Sequence, residues 1–193
     1  MIQSTQKITS IALFCGSNFG HDPSYQLAAE ELARVITALN IQSIYGGATV
    51  GIMGHFADNV LALGGQITGV IPQTLFDAEI AHSQLSKLIV TSSMTERKAT
   101  MYQLADAFIL MPGGLGSLEE FFEVLSWLQL GLHQKPCAIL NVNNYFRFLL
   151  DFLDHSVTQG FIKSGHRDMI INESDPATLM QHLLSYKHKP LIK

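Results

Sequence analysis

Short apolar runs rich in Ile, Val, Leu and Phe alternate along the chain with longer stretches in which apolar residues return every three or four positions. Gly, Pro, Asn and Asp separate one pattern from the next. The short runs predict buried strands and the longer stretches amphipathic helices. Strands are expected at 8–15, 41–45, 66–71, 88–91, 107–111, 137–141 and, with a weaker pattern, 169–171. Helices are expected at 23–39, 51–63, 94–105, 117–132, 144–159 and 176–186. In the first of these, Leu27, Leu32, Val35, Ile36 and Leu39 keep core spacing, and Asp22 ahead of Pro23 supplies an N-cap and a first-turn proline.

Strand and helix in regular alternation is the signature of parallel strands joined by right-handed crossovers, which put helices on both faces of the sheet. The expected fold class is therefore α/β, a Rossmann-like, doubly wound and mainly parallel sheet. No internal repeat and no Pro/Ser/Gly linker divides the chain, so 1–193 reads as a single nucleotide-binding domain. Ligands of such sheets sit beyond the carboxyl ends of the strands. The loops there are 15–20 (CGSNFG), 45–54 (YGGATVGIMG), 92–98 (SSMTERK) and 111–120 (MPGGLGSLEE), and all but the third are glycine-rich.

In the last of these loops, glycines let backbone N–H groups approach an anion without an intervening Cβ, and a helix starts at the same place. Free amides, the positive helix end and the Ser117 hydroxyl together make a phosphate site. A lone Gly-Gly would signify only a tight turn, but several glycine loops on one sheet edge favour the anion site. Neither standard nucleotide motif is present. Gly114 and Gly116 begin G-x-G-x-x-G, yet Glu119 stands at its end, and G-x-x-x-x-G-K-[ST] is absent. Dinucleotide oxidoreductase and kinase-like readings lose support accordingly.

Composition narrows the classes further. Of 193 residues 47% are apolar and only 15% charged, enough for a large core but too little polar side chain to cover a monomer, so at least a homodimer is expected. Twelve Lys+Arg against 16 Asp+Glu, a net charge of -4 and scattered basic residues argue against a nucleic-acid partner. Cys15 and Cys137 lack C-x-x-C spacing and fit reduced, buried thiols of a cytoplasmic protein. The eight His show no metal-ligand spacing, and no metal is expected. Positions 1–10 do not resemble a secretion signal, and no apolar run approaches the roughly 20 residues that span a membrane.

Two charged clusters carry candidate chemistry. Glu119, Glu120 and Glu123 crowd the start of a helix whose core stripe is Leu118, Phe121, Phe122, Leu125 and Leu128. The helix dipole alone favours acids there. A carboxylate one turn from a bound phosphate would, however, lie near the sugar of a nucleoside monophosphate, and its position singles out Glu120. Arg97 and Lys98 open another helix, against the dipole preference, which points to an anionic partner or to a surface salt bridge with Glu96 or Glu119.

The segments Glu96-Arg97-Lys98, Ala105-Asp106-Ala107-Phe108-Ile109 and Pro112-Gly113-Gly114-Leu115-Gly116-Ser117-Leu118-Glu119-Glu120 resemble the Lonely Guy family of cytokinin riboside 5′-monophosphate phosphoribohydrolases, with its P-G-G-x-G-T-x-x-E and M-H-x-R-K motifs. The similarity continues through Val124-Leu125-Ser126-Trp127, Gln129-Leu130-Gly131, Lys135-Pro136 and Leu140-Asn141-Val142, anchored at the front by Cys15-Gly16-Ser17 and Tyr45-Gly46-Gly47. Three positions depart from the family pattern: Ser117 for threonine, Thr95 for a frequent histidine and Ala48 for glycine.

The resemblance implies hydrolysis of the N-glycosidic bond of a purine nucleoside 5′-monophosphate, either adenine or N6-modified, to free base and ribose 5-phosphate, without cofactor. It implies Glu120 and Arg97 as catalytic residues: a carboxylate that stabilises the ribosyl cation or activates water, and a permanent cation that orients. It implies substrate contacts from Glu79, Met94, Lys98 and Ser126, and from the loop residues Gly113, Gly114, Leu115, Gly116, Ser117, Leu118 and Glu119. Gly16, Ser17, Gly46 and Gly47 complete the implied binding edge, and dimers with sites near the subunit interface are implied as well. Members were once labelled lysine decarboxylases, but no Lys here has a recognisable pyridoxal-phosphate context. A non-catalytic carrier of a nucleotide or molybdopterin-type cofactor is the alternative; it needs the phosphate loop but neither Glu120 nor Arg97.

Overall fold

The computed structural model describes residues 7–77 and 81–188. Its centre is a seven-stranded sheet: β1 Ser10–Phe14, β2 Gln42–Tyr45, β3 Ile67–Pro72, β4 Lys87–Thr91, β5 Ala107–Leu110, β6 Cys137–Leu140 and β7 Ile170–Glu173. The strands lie in the order β4-β3-β2-β1-β5-β6-β7, every neighbouring pair parallel. The helices are α1 Ser24–Ala38, α2 Gly51–Ala62, α3 Gln73–Phe76, α4 Met94–Leu104, α5 Leu115–Gln129, α6 Arg147–Thr158, α7 Ser164–Arg167 and α8 Pro176–Ser185. The fold is Rossmann-like, as the alternating pattern predicts.

Strand side chains alternate between two cores, which is what burial on both faces requires. Ile11, Leu13, Ile109 and Leu140 pack with α1, α2 and α8 through Leu32, Ile36, Phe56, Val60 and Leu183. Ala12, Phe14, Phe108 and Ile139 pack with α4, α5 and α6 through Met101, Tyr102, Phe121, Val124 and Leu150. Among the described residues no helix is long and apolar enough to cross a membrane.

The expected elements are present with small shifts at their ends. Pro23 has helical dihedrals (φ -63°, ψ -18°), and the Asp22 carboxylate accepts the Ser24 N–H at 2.9 Å, a cap two residues ahead of the start of α1. The helix expected from 117 already starts at Leu115, because the loop glycines, not Ser117, make the turn. The helix expected from 144 starts at Arg147, because Asn143 and Asn144 both hold left-handed dihedrals that no α-helix accommodates. The short α3 and α7 are additional to the expected elements.

Because the chain winds outward from β1 through β2 on one side and from β5 on the other, the crossovers diverge between β1 and β5. In sheets of this order the switch point, at the carboxyl ends of the strands, is where ligands bind. The loops beside it are stitched together: Gly16 N–H donates to Pro112 O at 3.0 Å, and Met53 N–H to Gly16 O at 3.3 Å.

Candidate active site

The anion loop follows β5. Gly114 caps α5, so the amides of Gly114, Leu115, Gly116 and Ser117 have no partner within the helix, and the positive end of the helix dipole adds to them. A Cβ on Gly113 would collide with the Ser117 hydroxyl, which therefore sits directly on the glycine backbone. Among the described residues, a Cβ on Gly114 or Gly116 would meet no atom within 4 Å beyond its chain neighbours and its own helix backbone. Packing within the chain thus leaves the outer side of this loop open, as an anion cradle requires.

One turn into α5, Glu120 is buried, with 8% of its surface exposed. Its partner comes from α4. Ser93 caps that helix, its Oγ accepting Glu96 N–H at 3.2 Å, and Arg97 lies on the inward face, 7% exposed. Arg97 Nη1 donates to Glu120 Oε1 at 2.6 Å and Nε to the Val70 carbonyl at 3.0 Å. Its Nη2 occupies the space beside Gly46, where a Cβ would stand 2.5 Å away. The ends of β2, β3 and α5 therefore hold one guanidinium in one orientation.

Burial disfavours the charged form of Glu120 and raises its pKa above the usual carboxylate range; the Arg97 charge and hydrogen bond pull it back only in part. The Cys15 thiol, buried and close to the Glu120 charge, is pushed well above its ordinary value, so it stays a neutral thiol and is no nucleophile. A second layer surrounds the pair. Lys98 bridges Glu119 and Glu123, the latter at 2.7 Å, and Tyr102 donates to Glu123 Oε2 at 2.8 Å. Burial alone would lower the Lys98 pKa, but its two carboxylate partners outweigh it and raise the value.

The structure brings together Arg97, Glu120, Lys98, Glu119 and the loop 113–118, with buried Gly16, Gly46 and Gly47 behind them and exposed Ser17, Met94 and Leu115 at the rim. Lys98 makes the salt bridge with Glu119 that the sequence left open, whereas Arg97 pairs inside the fold. Ser126 lies seven residues past Glu119 and three past Glu123, on the same face of α5 as those two carboxylates, and its exposed hydroxyl donates to Phe122 O at 2.7 Å. Glu79 lies outside the described residues. The sequence showed Glu123 only as one of three crowded acids and did not disclose Val70, Tyr102 or Tyr145. Val70 acts through its carbonyl and Tyr145 donates to one, contacts that carry no side-chain signature; only the i, i+3 spacing of Glu120 and Glu123 could have pointed to the others. Among the described residues no three His, Cys, Asp or Glu side chains converge in a metal-binding arrangement.

A doubly wound sheet with an open glycine loop at a helix start beside its switch point, and a buried carboxylate–guanidinium pair one turn away, has the features of a Rossmann-like protein with a candidate site for an anionic ligand. Residues 53–183 match the family model described as "Possible lysine decarboxylase". Over 164 residues the chain is 46% identical to the cytokinin riboside 5′-monophosphate phosphoribohydrolase of Rhodococcoides fascians, spanning 84% of this chain and 82% of that one. To LOG5 of Arabidopsis thaliana, which bears the same name, it is 41% identical over 177 residues, 92% of this chain and 78% of the relative. The chain belongs to this family, the Lonely Guy family its motifs resemble. Among solved structures, the molybdenum cofactor binding protein of Rippkaea orientalis superposes with a TM-score of 0.71 at 20% identity, covering 93% of this chain and 98% of that one. The Moco carrier protein of Chlamydomonas reinhardtii gives 0.68 at 17%, covering 93% and 99%. At such identities the likeness is one of fold.

Proposed function

We propose that this protein hydrolyses the N-glycosidic bond of a purine nucleoside 5′-monophosphate, of the adenine or cytokinin type, to free base and ribose 5-phosphate. The observation that carries it is the buried Arg97–Glu120 pair one turn from an open anion loop, in a chain more than 40% identical to named phosphoribohydrolases. The loop amides and Ser117 hold the 5′-phosphate, which places the ribose over the first turn of α5. As the bond between C1′ and the base nitrogen breaks, its electron pair leaves with the base and positive charge builds on the ribose. Oε1 of Glu120 is held by Arg97, and Oε2 is the oxygen left to face that charge and to take a proton from the water that adds to C1′, while the departing base takes up one proton, so that water is divided between the two products. Arg97 favours the ionised form of the carboxylate, against burial, and aims it.

The decarboxylase label fits these residues poorly. Lys98, the lysine at the site, is held as an ammonium by two carboxylates and lacks the free amine that a Schiff base needs. A carrier would bind its ligand at the same loop and leave Glu120 idle. The chain acts, in this proposal, as one nucleotide-binding domain, 1–193, in the cytoplasm and as at least a homodimer, on a small molecule and not on nucleic acid. Low charge, two buried free thiols and exposed Phe and Leu side chains support those points.

The test is incubation of the pure protein with AMP, GMP, CMP and isopentenyladenosine monophosphate, with adenosine alongside, and chromatography of the free base. Base should appear from a purine monophosphate and orders of magnitude more slowly from adenosine, which cannot use the loop. Binding without base release from any of them would favour the carrier, and equal rates with and without the phosphate would remove the anion loop from the mechanism.

A further inference from the structure

A fifth loop, 141–146 between β6 and α6, reaches the edge where the four expected ones gather. Asn143 and Asn144 hold left-handed dihedrals in succession (φ 50° and 56°), a conformation that non-glycine residues keep only where the surroundings enforce it. The enforcing contacts are specific. Asn141 Oδ1 accepts Phe146 N–H at 2.8 Å, and Asn143 Nδ2 donates to Asp22 Oδ2 at 2.8 Å and Ser24 Oγ at 3.0 Å, at the start of α1. The Tyr145 ring stands edge-on to Tyr25 and Phe146, with centroids 5.6 and 4.8 Å apart. Tyr145 remains 44% exposed, yet its hydroxyl has a defined partner, the Gly113 carbonyl, to which it donates at 2.7 Å.

We infer that Tyr145 is a positioning residue for the anion loop, anchoring the Gly113 carbonyl so that the Gly114 N–H is aimed at the substrate phosphate. A trans peptide unit is planar, with its C=O and N–H pointing in opposite directions, so fixing the carbonyl of the Gly113–Gly114 unit fixes the direction of the Gly114 N–H. The preceding carbonyl is tied in the same way, Pro112 O accepting Gly16 N–H at 3.0 Å. Such ties matter at this place because Gly114 has no side chain to restrain it and, among the described residues, a Cβ there would find no packing partner within 4 Å. The strap formed by Asn141, Asn143 and Tyr145 thus transfers the rigidity of α1 and β6 to a segment of the site that glycine leaves soft. The inference rests on the proposed use of this loop for a 5′-phosphate; Tyr145 itself touches no reacting atom.

Tyr145→Phe removes the hydroxyl and keeps the ring contacts, so the fold is not at risk. Calorimetric titration with ribose 5-phosphate should show about fivefold weaker binding than the wild type, the effect of one lost hydrogen bond. KM for AMP should rise by the same factor with kcat little changed, and the slow cleavage of adenosine should be unaffected, because adenosine does not use the aimed amide. A merely structural role would depress AMP and adenosine alike. That result, unchanged ribose 5-phosphate affinity, or a wild type that does not bind ribose 5-phosphate would each overturn the inference. If the wild type binds ribose 5-phosphate but cleaves no nucleotide, the hydrolase proposal fails while the titration still decides the role of Tyr145.

Discussion

Glu120 is held between opposing influences, and its titration should be visible in the activity. Burial raises its pKa, Arg97 opposes the rise, and the balance lies above the usual carboxylate range. If the ionised form is the working one, kcat/KM falls as pH drops through that raised value, so the acid limb of the profile should lie higher than an exposed glutamate would give. Arg97→Ala removes the opposing charge. The limb should then move to still higher pH while kcat falls sharply; a change confined to KM would make Arg97 a binding residue instead. Glu120→Gln should abolish base release yet leave ribose 5-phosphate binding largely intact, and near-normal turnover would take Glu120 out of the chemistry. Gly46 tests the same geometry from outside, since its added Cβ would stand 2.5 Å from Arg97 Nη2 and 3.2 Å from Met53 Sδ. Gly46→Ala should displace the guanidinium and cost on the order of 100-fold in kcat. Unchanged kinetics would show that the pair tolerates displacement.

At the scale of elements, the strands and the six long helices were legible because burial on one or two faces writes a period into the sequence. The four-residue helices α3 and α7 are shorter than any period and left no such mark. Arg97 and Glu120 were legible for a related reason: a cation at a helix start and an excess of acids at another are locally anomalous. Their packing was not. Arg97 against Val70 O, Tyr102 against Glu123 and Tyr145 against Gly113 join positions distant in sequence, and no local pattern encodes those meetings. Asp106 shows a further contact of this kind, with a measurable consequence. From the turn before β5 its Oδ2 accepts Thr9 N–H at 2.8 Å and Ser10 N–H at 3.1 Å, and both hydroxyls as well, tying the start of β1 to its neighbour. Partial burial would raise its pKa, but these four donors outweigh burial and hold it below the usual carboxylate value. A depressed carboxylate contributes stability that is present above its unfolded pKa and is lost as pH falls through the folded one. Asp106→Asn should therefore lower unfolding free energy by about 1–2 kcal/mol at neutral pH, the range expected after solvent screening. In urea titrations the gap from wild type should narrow toward pH 3. A gap that does not change with pH would mean that shape, not charge, matters there.

For the whole molecule, the open balance is between core and surface. Both faces of the sheet are covered, yet Phe148, Phe152 and Phe161 remain 79%, 62% and 89% exposed, and Leu130 and Leu132 beyond α5 are each 67% exposed. Apolar surface of that kind on a chain with 15% charged residues favours association with a second copy, most often by a closed two-fold arrangement. Light scattering at micromolar concentration should give at least twice the 21.3 kDa chain mass, and a single-chain mass would contradict the proposed dimer. Mass alone does not say whether the subunits share a site. The family resemblance implies that Glu79 contributes to substrate binding near the subunit interface, while Arg97 and Glu120 pair within one chain. If Glu79 completes the neighbour's site, Glu120→Gln and Glu79→Ala subunits, each inactive alone, should regain activity on mixing, because one kind of mixed site then carries neither substitution. With exchange verified by the mass of a tagged heterodimer, persistent inactivity would place Glu79 and Glu120 in the same subunit's site and leave the dimer a matter of covering apolar surface alone.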